Sequence, residues 1–474
     1  MRYIVLCFLV FISSLAVLAH GDEEHDDDVT ESIDLSSVSV PAHPTYHEHV
    51  RPIIDASCVA CHSEGQIAGY APFTSAEDAV WAARDIKFHV VNGIMPPWMP
   101  SRANLPLQND RSLSHEEIAI IAAWADEGAP LGDPHDYAPA ATDGIAPVEI
   151  RADLVLQLDE AYAPAVDVLD DYRCFAFELN IDAPQFITGY EFIPDAVEMA
   201  HHSIFYLFDE GAESAIQRRD NADGRSGWSC YGGPGIASER NGIGGWAPGA
   251  SPVLFPDGTG FLIKPGQQFV VQIHYNLWTT NQPDRSQIRL QLDAAERELA
   301  ELTDVALVAP VEIPCPTGVE GPQCERENAL DRVAELYGAD ARRIPDRLLR
   351  RCGLSREDYA ENTGENARGF CDYPVKQPLT VFGVFGHMHE LGRSFRLELN
   401  PDSAEPLLLL DIPLWDFHWQ DHYLLVEPLQ IARGDVLRMT CVWDNSLSDD
   451  PRYVVWGEGT SDEMCFGTLL TLKP

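Results

Sequence analysis

Lysine is nearly missing from this sequence. It occurs only as Lys87, Lys264, Lys376 and Lys473, and with arginine it supplies 32 cations against 75 acidic groups, a formal charge of -43. Nucleic acid and anionic lipid bind through clustered cations, so neither is expected as a partner. Long apolar runs are missing after the opening segment, so no membrane span is expected. Methionine is scarce too, seven in 474 residues, which makes each position informative. No arrangement of Ser, His and Asp, or of paired carboxylates, calls for a protein nucleophile or general base.

The chain opens MRYIVLCFLVFISSLAVLAHGDEE. One Arg, an apolar run too short to span a bilayer and an Ala-Val-Leu-Ala end predict a signal peptide over 1–19, cleaved near Ala19. The mature protein is then extracytoplasmic, periplasmic or secreted. Residues 20–44, acidic and Ser-rich, read as a disordered leader. Of eleven Cys, Cys7 leaves with the signal, and Cys58 and Cys61 belong to a motif treated below. Eight remain: Cys174, Cys230, Cys315, Cys324, Cys352, Cys371, Cys441 and Cys465. An even number in an exported chain predicts up to four disulfides.

At this length about three units are expected. Residues 45–135 have helical periodicity, clearest from Ser114 to Pro130. There Ser114 and Glu117 form a capping box, Ile118, Ile121, Ala122 and Ala125 share a stripe, and Gly128 and Pro130 end the helix. Residues 136–150, rich in Ala, Pro and Gly, read as a linker. Beyond 150, short alternating runs such as CFAFELNI, QFVVQIHYNL and VFGVFGHMH predict β-sandwiches. Helix-like sequence interrupts them between Cys315 and Cys371, a disulfide-stapled insertion at about 315–371.

SCVACHS supplies Cys58-x-x-Cys61-His62, the attachment signature of a c-type haem: two thiols bind the vinyl groups and the adjacent His comes under the iron. A redox dithiol would need a βαβ context, and a zinc site a second Cys/His pair. Neither is present. Downstream, NGIMPPWMP offers Met95 and Met99 as the sixth ligand. MPPW followed by EIAIIAAWADEGAP resembles bacterial class I-like cytochrome c domains, and on that resemblance Met95 is the first choice.

In the β region GHMHELGR places His387 and His389 on one face of a strand, side chains repeating every second residue. Further donors are His201 and His202 in MAHHSIFY, His274 in QFVVQIHYNL and Met464 in GTSDEMCFG. Adjacent His201 and His202 would point to opposite sides of a regular strand, so joint ligation demands a bulge, a strand end or different ring nitrogens. Imidazoles suit copper and zinc alike, whereas a thioether favours Cu(I), so a His, His, Met set selects copper.

The order HH, Gln-x-His-Tyr, His-x-His-x-x-Gly and Asp-Glu-Met-Cys resembles the copper type II, ascorbate-dependent monooxygenases over most of residues 150–474. The resemblance implies two jelly-roll-like sandwiches, 151–300 and 301–474, each with one copper, facing across a solvent-filled cleft. His201, His202 and His274 would hold an electron-transfer copper. His387, His389 and Met464 would hold the copper that binds dioxygen and substrate. Gln272 would lie near the first copper, and Cys174 would pair with Cys230 and Cys441 with Cys465, leaving three possible connectivities for the other four. Asp462 and Glu463 read as structural acidic residues. The chain departs from the peptide-hydroxylating members in having Phe385, Phe466 and Thr468 where those carry an Arg, an Asn and a Tyr for the substrate's peptide end. A more apolar substrate is expected.

The combined expectation is a small all-α cytochrome c domain followed by two all-β jelly-roll-like sandwich domains, with two copper ions and one covalently bound haem c. Its function would be hydroxylation of a C–H bond of a small apolar molecule with O2, electrons passing from an external donor through the haem. The alternative is a non-catalytic periplasmic haem and copper protein for electron transfer or copper handling.

Overall fold

The computed structural model describes residues 35, 37–66, 68–139, 149–164, 170–230, 233–236, 240–246, 250, 252–277, 280–417, 419–457 and 461–473. The expected signal segment, residues 20–34 of the leader and 140–148 of the linker lie outside the described residues.

The expected fold class needs correction, because the molecule is mostly β-sheet, its helices are few and short, and no separate small all-α N-terminal domain is evident. The longest helices have 12 residues, His115–Asp126 and Arg326–Tyr337. The first starts at the capping box the sequence announces, Ser114 Oγ accepting from the Glu117 N–H and the Glu117 carboxylate from the Ser114 N–H. It packs with Arg51–Ser57 and Ala83–Val91 around Val50, Ile54, Ile121 and Trp124.

Between these helices the chain leaves for the β structure. Residues 98–108 lie as a strap on its strands: Leu107 bridges to Leu425, and Gln108 N–H donates to Leu424 O at 2.8 Å. Leu105 N–H donates to Leu408 O at 3.1 Å, and Trp98, Met99 and Leu105 pack on the core of the second half. Pro96, Pro97, Pro100 and Pro106 prevent helix there, since each lacks an N–H. Periodicity says that such apolar residues are buried but not against which partner, which is why the segment reads as part of an α unit.

One nine-stranded sheet runs through both halves of the β structure. Its first part, including Leu154–Gln157, Gln287–Ala294, Gln185–Ile193 and Thr259–Ile263, is covered by a five-stranded sheet that holds Asp170–Glu178, Gln268–Asn276 and Ala200–Phe208. Its second part, Phe466–Leu472, Leu379–His387 and Tyr423–Ile431, is covered by a four-stranded sheet of Ala367–Pro374, Val436–Trp443, Gly392–Leu399 and Leu407–Ile412. Ala300–Val308 joins the parts, parallel to Thr259–Gly260 at its start and antiparallel to Phe466–Leu472 along most of its length. The two sandwiches are therefore fused through a shared sheet.

Four disulfides form: Cys174–Cys230, Cys315–Cys324, Cys352–Cys371 and Cys441–Cys465. The second and third staple the insertion, which contains helices Arg326–Tyr337 and Ile344–Arg351. Among the described residues no helix is long and apolar enough to cross a membrane.

Leu107→Ala tests the strap. The side chain is 8 % exposed, so truncation is expected to cost about 2–3 kcal/mol. Urea unfolding followed by tryptophan fluorescence should show the loss in the β core as well as in the helices.

Candidate metal centres

Adjacent histidines on one strand need an irregularity to share a target, and one is present. The Ala200–Phe208 strand pairs with Gln268–Asn276 in a register that slips between Ala200 and His202, so that Ala200 faces Tyr275 and His202 faces His274. The extra residue of that bulge is His201, which brings both rings to the same side. His201, His202 and His274 are all buried, and one ring nitrogen of each lies within 4.8 Å of the others. The converging atoms are Nδ1: that of His202 is 3.3 Å from that of His201 and 3.4 Å from that of His274. Tyr172, opposite His274 on the neighbouring strand, stacks on its ring at 4.1 Å and 6°. Gln272, two residues before His274 on the same strand, donates its amide N–H to Cys230 O at 2.6 Å, tying the disulfide to the strand.

The second group forms differently. The Leu379–His387 strand ends at His387, and His389 lies in the turn beyond it, yet their rings approach to 5.0 Å at 75°. His387 faces Phe466 in the antiparallel pairing with Phe466–Leu472. Met464, 7 % exposed, stands two residues before Phe466, and its N–H and that of His389 donate to the same Glu463 carboxylate oxygen.

Here the partners select the other ring nitrogen. Gln420 Oε1 can only accept, so His387 Nδ1 donates to it, at 2.6 Å, and the Gln420 amide is oriented by donating to Phe417 O at 2.8 Å. His389 Nδ1 donates to Asp462 O at 3.0 Å. In each ring the hydrogen bond at Nδ1 fixes the orientation and leaves Nε2 as the nitrogen that could serve a metal. Burial keeps His387 below its ordinary pKa, so the ring is neutral and competent to ligate.

Glu463 is fully buried, and its carboxylate accepts from the N–H groups of His389, Leu391 and Met464 and from Trp443 Nε1, at 2.7–3.2 Å. Asp462 pairs with Arg332 of the insertion at 2.7 Å. The structural reading of these two acids matches their contacts, and the insertion braces the turn that precedes Met464.

Sequence reasoning overlooked residues 415–422, the run WDFHWQDH. Trp419 lies 6.0 Å from the His201 ring, Gln420 holds His387, and Phe417 is 6.2 Å from the His389 ring. One loop thus touches both histidine groups. Its density of aromatic and imidazole side chains is the signal that was available.

Cys58 and Cys61 follow the Arg51–Ser57 helix and are not disulfide-bonded. His62 Nδ1 donates to Ala71 O at 2.8 Å, turning Nε2 outward, and the ring stacks on Phe73 at 4.3 Å. Burial pushes the Cys58 thiol up to about 12, opposite to what a redox dithiol requires. Met95 is half-buried after the Ala83–Val91 helix, its N–H on His89 O. Met99 is engaged elsewhere, its Sδ accepting from the Asp416 N–H at 3.3 Å.

Residues 359–470 match the family model described as copper type II ascorbate-dependent monooxygenase, C-terminal domain. The match takes in His387, His389 and Met464 and stops short of the first group; it supports a copper monooxygenase-like oxidoreductase. No curated protein matches the chain. Among solved structures, an allantoicase is 13 % identical over 64 % of this chain and 83 % of its own, with a TM-score of 0.15. A Paenibacillus xanthan lyase is 9 % identical over 73 % of this chain and 29 % of its own, TM-score 0.16. Likenesses this slight carry no argument.

Glu463→Gln would turn an amide NH2 toward the Leu391 N–H, or toward the other three donors if flipped, so that at least one donor meets a donor. The expected loss is about 2–3 kcal/mol, read as a lower urea midpoint with all four disulfides intact.

Proposed function

We propose that the chain is an exported copper-dependent monooxygenase that hydroxylates a C–H bond of a small apolar substrate with O2, drawing electrons through a covalently attached haem. The observation that carries this reading is the presence of two unlike donor sets joined by one loop. In one, three imidazoles converge through Nδ1. In the other, two imidazoles turn to Nε2 beside the Met464 strand, within the residues that match the copper domain.

His201, His202 and His274 would hold one copper, and His387, His389 and Met464 the other. Bound copper would supply the one-electron chemistry that activation of O2 requires. One oxygen atom enters the C–H bond and the other leaves as water, with two electrons and two protons supplied. Neutral imidazoles suit either copper oxidation state, and the soft thioether of Met464 favours the reduced one. Phe385 and Phe466 lie 6.3 and 6.4 Å from the His387 ring. They keep water away from that side and offer apolar contact to a substrate.

Cys58 and Cys61 would carry the haem as thioethers, with His62 and Met95 as its axial ligands, and an external donor would reduce it. The strap after Met95 supports electron delivery toward the coppers. Trp98 packs edge-on to Tyr423 at 5.4 Å and Met99 meets Asp416, at the two ends of the loop that touches both histidine groups.

Copper analysis of the haem-matured protein should give two equivalents per chain. Met464→Ile should keep one, weaken the other at least about tenfold, and abolish O2 consumption driven by a reduced haem donor. Two coppers with no O2 consumption across a panel of small apolar compounds, and only a changed affinity in Met464→Ile, would favour the electron-carrier or copper-handling alternative. For the haem, Cys58→Ser and Cys61→Ser together should abolish covalent attachment, seen as loss of the pyridine haemochrome band from denatured protein.

A further inference from the structure

At the seam between the two halves lies a narrow crevice with about 20 Å3 of free space, inside an outline of about 370 Å3 that includes its open mouth. Its walls are apolar: Ile243, Val253, Phe255, Val384, Leu424 and Leu470. Five polar side chains also line it, Asp304, Tyr190, His422, Tyr423 and Thr468. The run RNGIGGW makes room for three of them. A Cβ on Gly242 would collide with Asp304 Oδ2 and one on Gly244 with the Tyr190 hydroxyl, and one on Gly245 would press to 3.3 Å on the His422 ring.

Two of these groups are unsatisfied. His422 Nε2 and Thr468 Oγ1 are both buried without a hydrogen-bond partner, and each such atom costs about 1–3 kcal/mol unless something fills the place. His422 stacks on Phe385 at 4.4 Å and 12°, and Phe385 lies parallel to His387 at 6.3 Å and 11°. The crevice is therefore one aromatic ring away from the second histidine group.

Its charge limits what it can take. No Lys or Arg lines it, and the nearby Arg111 is paired with Asp421 at 3.7 Å. Burial pushes Asp304 up to about 8 and His422 down to about 4, so both are largely uncharged near neutrality. A carboxylate would be buried without a counter-charge. A hydroxyl both donates and accepts, so it satisfies His422 Nε2 in either tautomer and Thr468 Oγ1 as well.

We infer that this crevice receives the head of the substrate, a neutral hydroxyl on an apolar body, held by His422 Nε2 and Thr468 Oγ1 with the body lying past Phe385 toward His387. The direction of the body rests on His387, His389 and Met464 being the reacting copper centre; the crevice itself does not.

The experiment uses the full chain stripped of copper, with benzyl alcohol and benzoate as probes, followed by ligand-observed NMR and calorimetry. Benzyl alcohol should bind, benzoate at least about tenfold more weakly, and Thr468→Val and His422→Phe should each lose about tenfold, the worth of one hydrogen bond to a buried partner. Melting curves of the two variants establish that they fold, and Thr468→Val, nearly isosteric, keeps the test alive should His422→Phe not. Absence of alcohol binding, equal or tighter benzoate binding, or folded variants that bind as well as the parent would overturn the inference. Copper uptake, measured on the same preparation, separates the two readings. Two equivalents with no alcohol binding sink the crevice alone. Alcohol binding with no copper uptake sinks the copper reading and the direction assigned to the body.

Discussion

The second donor group depends on one buried carboxylate. Glu463 accepts from three backbone N–H groups and an indole, and the backbone donors belong to His389, Leu391 and Met464. A single side chain thus fixes the turn that carries one imidazole and the start of the strand that carries the thioether. Burial pushes Glu463 up to about 8, and a buried carboxyl group whose donors are lost, or donors left without it, costs free energy, so the four contacts stand together. Around it, Cys441–Cys465 ties the next residue to the strand of the covering sheet that runs to Trp443, itself one of the four donors. Arg332 holds Asp462 from outside. The insertion is for this reason part of the centre's support, and Ala329, Leu330 and Val333 pack on Val455 to keep its helix in place.

The two histidine groups solve the same problem with different backbone devices. Where the ligands are neighbours in sequence, a bulge turns them to one side, and the rings present Nδ1, the nitrogen nearer the backbone. Where they are two apart, the strand simply ends, and hydrogen bonds from Nδ1 to Gln420 and to Asp462 O leave the farther nitrogen, Nε2. The nitrogen left over follows from where an acceptor meets the ring, a side-chain amide oxygen for His387 and a backbone carbonyl for His389. Each group can then be disturbed through the loop from Trp415 to His422, which no donor-counting argument on the sequence would have selected.

Legibility followed range. The Ser114 and Glu117 cap is written in four consecutive residues and formed as read, whereas the strand expected to carry both His387 and His389 ends at His387. The adjacent pair His201 and His202 left a bulge, a strand end or different ring nitrogens open, and the register shift between Ala200 and His202 is the bulge. The disulfides Cys174–Cys230 and Cys441–Cys465 followed from family resemblance, whereas the pairing of Cys315, Cys324, Cys352 and Cys371 needed the fold. What could not be read were partners separated by hundreds of positions: Trp419 against His201, Leu107 against Leu425, Arg332 on Asp462. An apolar residue in a Pro-rich segment states that it is buried and is silent about the surface that buries it, and the all-α expectation failed at that point.

The strap also changes what kind of connection joins the N-terminal helices to the β structure. A flexible linker would give a tethered group a high effective concentration but no fixed position, and the Ala and Pro-rich segment near 140 suggested that arrangement. Instead residues 98–108 exchange backbone hydrogen bonds with Leu408, Asp411, Leu424 and Val426, strands of the second half, before the chain returns to complete the helical cluster with His115–Asp126. The cluster is held on both sides of the strap, so it cannot swing without breaking those bonds. On the proposed reading this favours a fixed distance between haem and copper over a search by diffusion. Electron transfer would then be set by the packing of Trp98, Met99 and the loop they meet, and single substitutions far from any metal ligand could alter its rate.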